Sequence, residues 1–206
     1  MLSKEGIRQI NEKGSEQMKI RQAVKEDALQ AAELIYYAID DIAESLTGKT
    51  DPVEIIQSLA DLFRSEKNRI SYQNTIIADI NGVVVGLAVT YSGDEAPGLD
   101  TLIVERLKKV TGQSDVSLDP EAEAGDYYID TLSVNPEYQG QGIGTQLILE
   151  TQKIAKQKGY NRISLNVSHD NPNARKLYSK LGFKKEKVIQ INGHPYDYMV
   201  KFLESL

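Results

Sequence analysis

The chain has 206 residues, with 24 Lys and Arg against 30 Asp and Glu and a formal net charge of −6, a balance that argues against non-specific nucleic-acid binding, which needs a basic surface. Hydrophobic residues at 40% and charged ones at 26% describe a folded soluble chain rather than a disordered one, and no apolar run approaches the roughly 20 residues that span a bilayer. With no cysteine there is no disulfide, thiolate metal site or cysteine nucleophile, and His169 and His194 are too few for a multi-histidine metal centre, so no metal is expected.

The N-terminus is polar and lacks the apolar core of a signal peptide, which leads us to expect a cytoplasmic protein without membrane contact. Residues 1–17 show no sustained apolar periodicity and read as a peripheral extension preceding a domain over 18–206. Met18 opens MKIRQAV, a short alternating strand. Asp27 is placed to N-cap a helix reaching about Leu46, with Ala28, Ala31, Ala32, Ile35, Ile39, Ile42 and Leu46 at helical spacing. Asp51-Pro52 starts a second helix, carrying Val53, Ile56, Leu59, Ala60 and Phe63 on one face. TIIADI (75–80) and VVVGLAVTY (83–91) flank Asn81-Gly82, the strongest short hairpin signal because both turn positions need φ > 0. From Ser92 to Asp126 the chain is polar and acidic. ERLKKV predicts a helical turn or two there, and Pro97, Gly98, Gly112, Pro120 and Gly125 are expected to interrupt anything longer. A connection of that length inside a compact domain is usually functional or mobile.

The last 80 or so residues are the best defined. YYIDTLSV (127–134) is a strand, and the glycine-rich NPEYQGQGIG follows it. A helix from about Thr145 to Lys158 stops at Gly159, and RISLNVS (162–168) is another strand. Asn171-Pro172 opens a short helix that Gly182 ends, and two strands around Asn192-Gly193 close the chain. Strands and helices in this alternation predict one mixed α/β domain.

The turn Gln139-Gly140-Gln141-Gly142-Ile143-Gly144 lies between a strand and a helix. Glycines there let the backbone take φ > 0 and let a ligand approach without a Cβ in the way. Successive amides then face one concavity at the positive end of the helix, a site for a phosphate or pyrophosphate. A dinucleotide fingerprint would require a third glycine where Thr145 stands and an acidic residue near Ser164 or Leu165, and a P-loop would require Gly-Lys-Ser/Thr; none of these occurs. On the glycines alone, a ligand-free strand-to-helix turn stays open.

Q-G-Q-G-I-G after an apolar strand ending at Val134, then a helix, then LNVSHDNPNARKLYSKLGF, resembles the GNAT superfamily of acetyl-CoA-dependent N-acetyltransferases. The likeness covers roughly residues 18–206 in element order and is most specific over 127–183. There the family's Q/R-x-x-G-x-G/A motif matches Gln139, Gly142 and Gly144. A second string, N-x-x-A-x-x-L-Y-x-x-x-G-F, matches Asn171, Ala174, Leu177, Tyr178, Gly182 and Phe183.

The resemblance implies a mostly antiparallel α/β sheet whose central strands splay, flanked by helices. It implies acetyl-CoA as co-substrate and an amine as acceptor, with a homodimer possible. The main chain of Leu132, Ser133 and Val134 would pair with the pantetheine amides, which needs no particular side chains. The turn Gln139, Gly140, Gln141, Gly142, Ile143, Gly144 and Thr145 would hold the pyrophosphate. Gln141 stands where many relatives carry a basic residue, so capture would rest more on amides and the helix dipole. Asn166 could face the gap between the splayed strands or face solvent. Asn171, the helix N-cap, and Asn173 would reach the pantetheine arm.

Tyr178 is the catalytic candidate, because a phenol near sulfur could protonate the departing thiolate; at i, i+4 from Ala174 it could equally be a core tyrosine. Asp130 is the candidate base for an amine that is protonated at neutral pH, and a salt-bridged or solvent-facing carboxylate is the alternative. The Ser92–Asp126 segment holds nine carboxylates against three basic residues, an excess equal to the net charge of the chain. Such a run is usually solvated surface, but beside an acceptor cleft it would favour cationic amines. The sequence reading is therefore direct acetyl transfer from acetyl-CoA to a small cationic amine or a peptide amine. Its rival is a non-catalytic acyl-CoA-binding regulatory module.

Overall fold

The computed structural model describes residues 18–39 and 42–204. The extension expected over 1–17 lies outside the described residues. Among the described residues, seven strands form one sheet: β1 (Lys19–Gln22), β2 (Thr75–Ile80), β3 (Val83–Ser92), β4 (Tyr127–Val134), β5 (Arg162–Ser168), β6 (Lys184–Ile191) and β7 (His194–Phe202). Their order is β1-β2-β3-β4-β5-β7-β6, antiparallel throughout except between β4 and β5. Six α-helices flank it: α1 (Ala28–Ile39), α2 (Ile42–Thr47), α3 (Pro52–Arg64), α4 (Ala96–Thr111), α5 (Ile143–Gln157) and α6 (Pro172–Lys180). α1, α3 and α4 bury Ile35, Leu59, Phe63 and Ile103 against Leu87, Tyr91 and Tyr128 on one face. On the other face α5 and α6 pack Leu147, Ile148 and Tyr178 against Ala88, Ile129 and Leu165.

The local signals act as their chemistry requires. Asp51 Oδ1 accepts from the amides of Val53 and Glu54, capping α3. Asn81 and Gly82, and later Asn192 and Gly193, all take positive φ and close tight hairpins. Two expectations need correction. Asp27 does not cap α1 from outside: it is the last residue of a 3-10 turn, where its carboxylate reaches back to the Val24 amide at 2.8 Å and takes both Arg21 terminal nitrogens. The acidic connection is not broken into fragments either, because α4 runs for 16 residues. Pro97 falls in its first turn, where a missing amide costs nothing, Gly98 adjoins it in open space, and Gly112 forms the left-handed C-cap.

The feature that positions the site is a failure of pairing. β4 and β5 are matched only at Tyr127–Ile163, Tyr128–Ser164 and Ile129–Leu165. Beyond that, β4 stays paired to β3 as far as Val134 and β5 stays paired to β7 as far as Ser168, so the two strands part company. The resulting wedge exposes the inner edges of residues 130–134 and 166–168. Gly86 on β3 brings α5 close behind the wedge; a Cβ there would sit 3.1 Å from the Ile143 side chain and 3.0 Å from the Ser133 carbonyl oxygen.

Candidate active site

Two connected hollows open at the wedge. The outer one is a groove of about 890 Å3 between β4, the glycine turn, the start of α5 and α6. The Asn135 amide donates to Val85 of β3, so alternation along an antiparallel strand turns the main-chain groups of Leu132 and Val134 toward the groove. The Val134 carbonyl there accepts from the Gln139 amide side chain at 3.1 Å. Gly140 and Gly142 have φ of 77° and 80°, a region closed to most side chains, and this bends the chain into α5. No side chain caps α5, and its first intrahelical bond is Gln146 to Gly142, which leaves the amides of Ile143, Gly144 and Thr145 as donors at the positive helix end. Leu132–Val134, Gln139, Gly140, Gly142–Thr145, Asn171, Asn173 and Tyr178 all line this groove. Gln141 and Asn166, grouped with them from sequence, do not.

The inner hollow is a cavity of about 160 Å3 reaching through the wedge to the opposite face of the sheet. Its walls are aliphatic, from Ile35, Ala38, Ile39 and Ile42 on α1 and α2, and its floor is ionic, from Arg69, Glu121 and Asp130. Ala38, Leu132, Asn171, Ala174 and Tyr178 line both hollows and form the passage between them. Asn171 holds the start of α6 by accepting from the Ala174 amide at 3.0 Å. Tyr178 is 8% exposed, its ring lies edge-on to Phe183, and burial alone pushes its hydroxyl up to about 12.

The floor is a buried charge cluster. Arg69, whose side chain is 4% exposed, meets Asp130 at 3.1 Å, Asp100 of α4 at 3.5 Å, and Glu121. Asp130 also accepts from the hydroxyls of Tyr91 at 2.6 Å and Thr131 at 2.9 Å. Of the readings left open for Asp130, the salt-bridged one is present. Glu121 accepts from the Tyr128 hydroxyl at 3.1 Å. Burial raises the Glu121 carboxyl; Arg69 opposes this and Asp130 adds to it. Asn166 turns inward: its amide donates to the Tyr128 hydroxyl at 2.7 Å and to the Glu121 carbonyl at 3.0 Å, while its own Oδ1 is shielded from solvent without a partner.

The segment after α4 reaches the cavity as a strap across the sheet end. The Gly93 amide donates to the Asp126 carbonyl, the Glu123 amide to the Tyr198 hydroxyl, and the Asn192 amide to the Asp119 carboxylate. Asp126 is 2% exposed and paired with Arg162 at 2.7 Å, so part of the acidic excess is internal structure rather than solvated surface. His169 bonds Asp197 instead of lining either hollow. Arg69 and Tyr128 were not singled out from the sequence as site residues, and Glu121 was expected at the acceptor side only as one carboxylate of the acidic segment, together with Glu123 and Asp126. Nothing in EKNRIS marks a buried arginine, and Glu121 looks like any other residue of an acidic run.

The acetyltransferase (GNAT) family model matches residues 36–183 of this chain. A solved acetyltransferase structure is similar at 34% identity and TM-score 0.75, covering 90% of this chain and all of that one. An N-acetyltransferase from Staphylococcus aureus Mu50 is similar at 26% identity and TM-score 0.76, covering 89% and 100% respectively. An uncharacterised N-acetyltransferase of Methanocaldococcus jannaschii is 36% identical over 62 residues, 30% of this chain and 27% of that protein. The chain spans about a quarter to a third of the length of such curated relatives.

Proposed function

The chain belongs to the GNAT acetyltransferase family, and from that premise we propose that it transfers the acetyl group of acetyl-CoA directly to a primary amine, with residues 18–206 as the catalytic domain. The observation that carries this is the passage. A groove floored by uncapped helix amides leads past Tyr178 into a second cavity whose floor carries carboxylates.

The pyrophosphate fits the amides of Ile143, Gly144 and Thr145, where negative charge meets the helix dipole without lysine or arginine. The pantetheine arm fits along Leu132 and Val134, whose outward main-chain groups can pair with its amides as an added strand would. That path brings the thioester to the passage. The acceptor nitrogen attacks the carbonyl from the inner cavity, the C–S bond breaks, and the Tyr178 hydroxyl protonates the departing thiolate. A phenol held near 12 stays protonated at neutral pH and is available as an acid. Acidic groups outnumber the single arginine at the cavity floor, which favours a cationic acceptor such as an alkylammonium or a peptide amine. Asp130 serves as the counter-ion that fixes Arg69.

The test is thiol release from acetyl-CoA with a panel of amines, alongside calorimetry of acetyl-CoA. Tyr178→Phe should lower kcat by about 10²–10⁴-fold and leave acetyl-CoA affinity near wild type, because the ring remains in place. Near-normal kcat in this variant would remove Tyr178 as the acid. Tight acetyl-CoA binding with no transfer to any amine would point to the sensor reading instead.

A further inference from the structure

Acetyl transfer to an ammonium requires a group that removes its proton, and the cavity floor supplies two carboxylates. Asp130 is the more enclosed of the two: its side chain is 6% exposed against 12% for Glu121, the Tyr91 hydroxyl sits on its Oδ2 and the Thr131 hydroxyl on its Oδ1, and the Arg69 guanidinium lies against Oδ2 as an ion pair at 3.1 Å. Glu121 carries one donor on each oxygen, Arg69 on Oε1 and the Tyr128 hydroxyl at 3.1 Å on Oε2, so lone pairs remain for a substrate N–H. It comes from the strap rather than from the sheet, and its own carbonyl is pinned by Asn166 across the wedge. The groups facing it are Arg69, which Asp100 of α4 also pairs, Tyr91 of β3, Tyr128 and Asp130 of β4, and Asn166 of β5.

We infer that Glu121 binds the acceptor ammonium in the inner cavity and takes its proton; this rests on the acetyl-transfer reading. The balance closes. One ammonium proton passes to Glu121 and then to solvent. The free amine adds to the carbonyl carbon to form the C–N bond, the tetrahedral adduct collapses with loss of the C–S bond, Tyr178 gives its proton to the departing thiolate, and the amide nitrogen returns its surplus proton to the Tyr178 phenolate. Burial of Glu121 raises its basicity toward the working pH, which suits a proton acceptor better than an exposed carboxylate would.

The experiment compares an alkylammonium acceptor with hydroxylamine, which is already neutral at pH 7. Glu121→Gln in the full chain should lower kcat/KM for the alkylammonium by about 10²-fold or more at pH 7, with the deficit shrinking as pH rises, and should change the hydroxylamine rate little. Melting temperature and acetyl-CoA affinity show whether the variant is folded. If it is not, Glu121→Asp, which keeps a partner for Arg69, should show the same split between acceptors. Equal losses with both nucleophiles in a folded variant would make Glu121 structural, and near-wild-type kinetics with the alkylammonium would also overturn the inference. A wild-type chain that releases no thiol with any amine would refute the acetyl-transfer reading beneath it, a result distinct from either.

Discussion

Gly93→Ala tests whether the strap holds the acceptor site together. An ideal Cβ at Gly93 would lie 1.9 Å from the Glu123 carbonyl oxygen and 2.6 Å from its carbon, where ordinary contact begins at 3.4 Å. Backbone stands on both sides, so no side chain can swing away, and the strap must retreat by about 1.5 Å. That shift breaks the Gly93-to-Asp126 backbone bond and loosens the Gly125-to-Asp94 bond at 3.2 Å. Overpacking with one or two hydrogen bonds lost amounts to about 2–4 kcal/mol, or roughly 5–15 °C in melting temperature for a chain of this size. Glu121 lies two residues before Glu123 and moves with it, and a misplacement of about 1 Å at a reacting group can cost 10²-fold in rate. Turnover with a cationic amine should therefore fall about that far. Acetyl-CoA affinity should hold, because the outer groove is built from β4, the glycine turn and α6. Thermal unfolding, thiol-release kinetics and calorimetry measure the three quantities. A variant that melts within about 1 °C of wild type and turns over normally would show that the strap does not set the position of Glu121.

Other outcomes follow from the same geometry. Gly142→Glu forces a side chain into φ of 80° and sets a carboxylate beside the α5 amides, so acetyl-CoA affinity measured by calorimetry should weaken by about 100-fold or more. Burial alone would raise the Asp197 carboxyl, but hydrogen bonds from Lys185 and His169 and the charge of Arg175 outweigh it and hold it below its ordinary value. Its contribution to stability is full above about pH 4, where the unfolded carboxyl is ionised as well, and is lost as pH falls below that. Wild type should therefore lose an increment of stability on acidification that Asp197→Asn already lacks, as equilibrium unfolding at stepped pH would show.

The parts of this molecule legible in its sequence are those fixed by local chemistry. Asn-Gly turns, the Asp51-Pro52 cap, the Asn171 cap and the strand boundaries of Tyr127–Val134 depend on a few adjacent residues. The groove was legible for the same reason, since most of it comes from one strand-turn-helix segment and the helix that follows. α4 was misread because proline and glycine were weighed as breakers without regard to position, although both are harmless in a first turn. The inner cavity was not legible. Its floor joins Arg69, Glu121 and Asp130 from three separate stretches of chain, with Asp100 of a fourth pairing Arg69, and no spacing rule links them. Asn166 shows the limit most clearly: alternation raised the question of which way it faces, and only the distant strap answered it.

The two hollows have opposite electrostatics, which on the proposed reading would separate the substrates. The outer groove offers a polyanion main-chain amides and a helix end, which carry no net charge and stay fixed in place. The inner cavity is lined by two carboxylates, Glu121 and Asp130, beside one buried guanidinium that Asp100 also pairs, so a cation entering it would gain attraction that an anion would lose. Under the proposed function, acetyl-CoA phosphates would be unwelcome in the inner cavity, and an ammonium would gain little at the glycine turn. Arg69 is what allows this much negative charge to be buried at all, because without it the carboxylates around it would protonate rather than remain ionised. The arginine therefore sets the charge of the floor without touching the thioester. Replacing Arg69 should impair use of a cationic acceptor well before it affects binding of the cofactor.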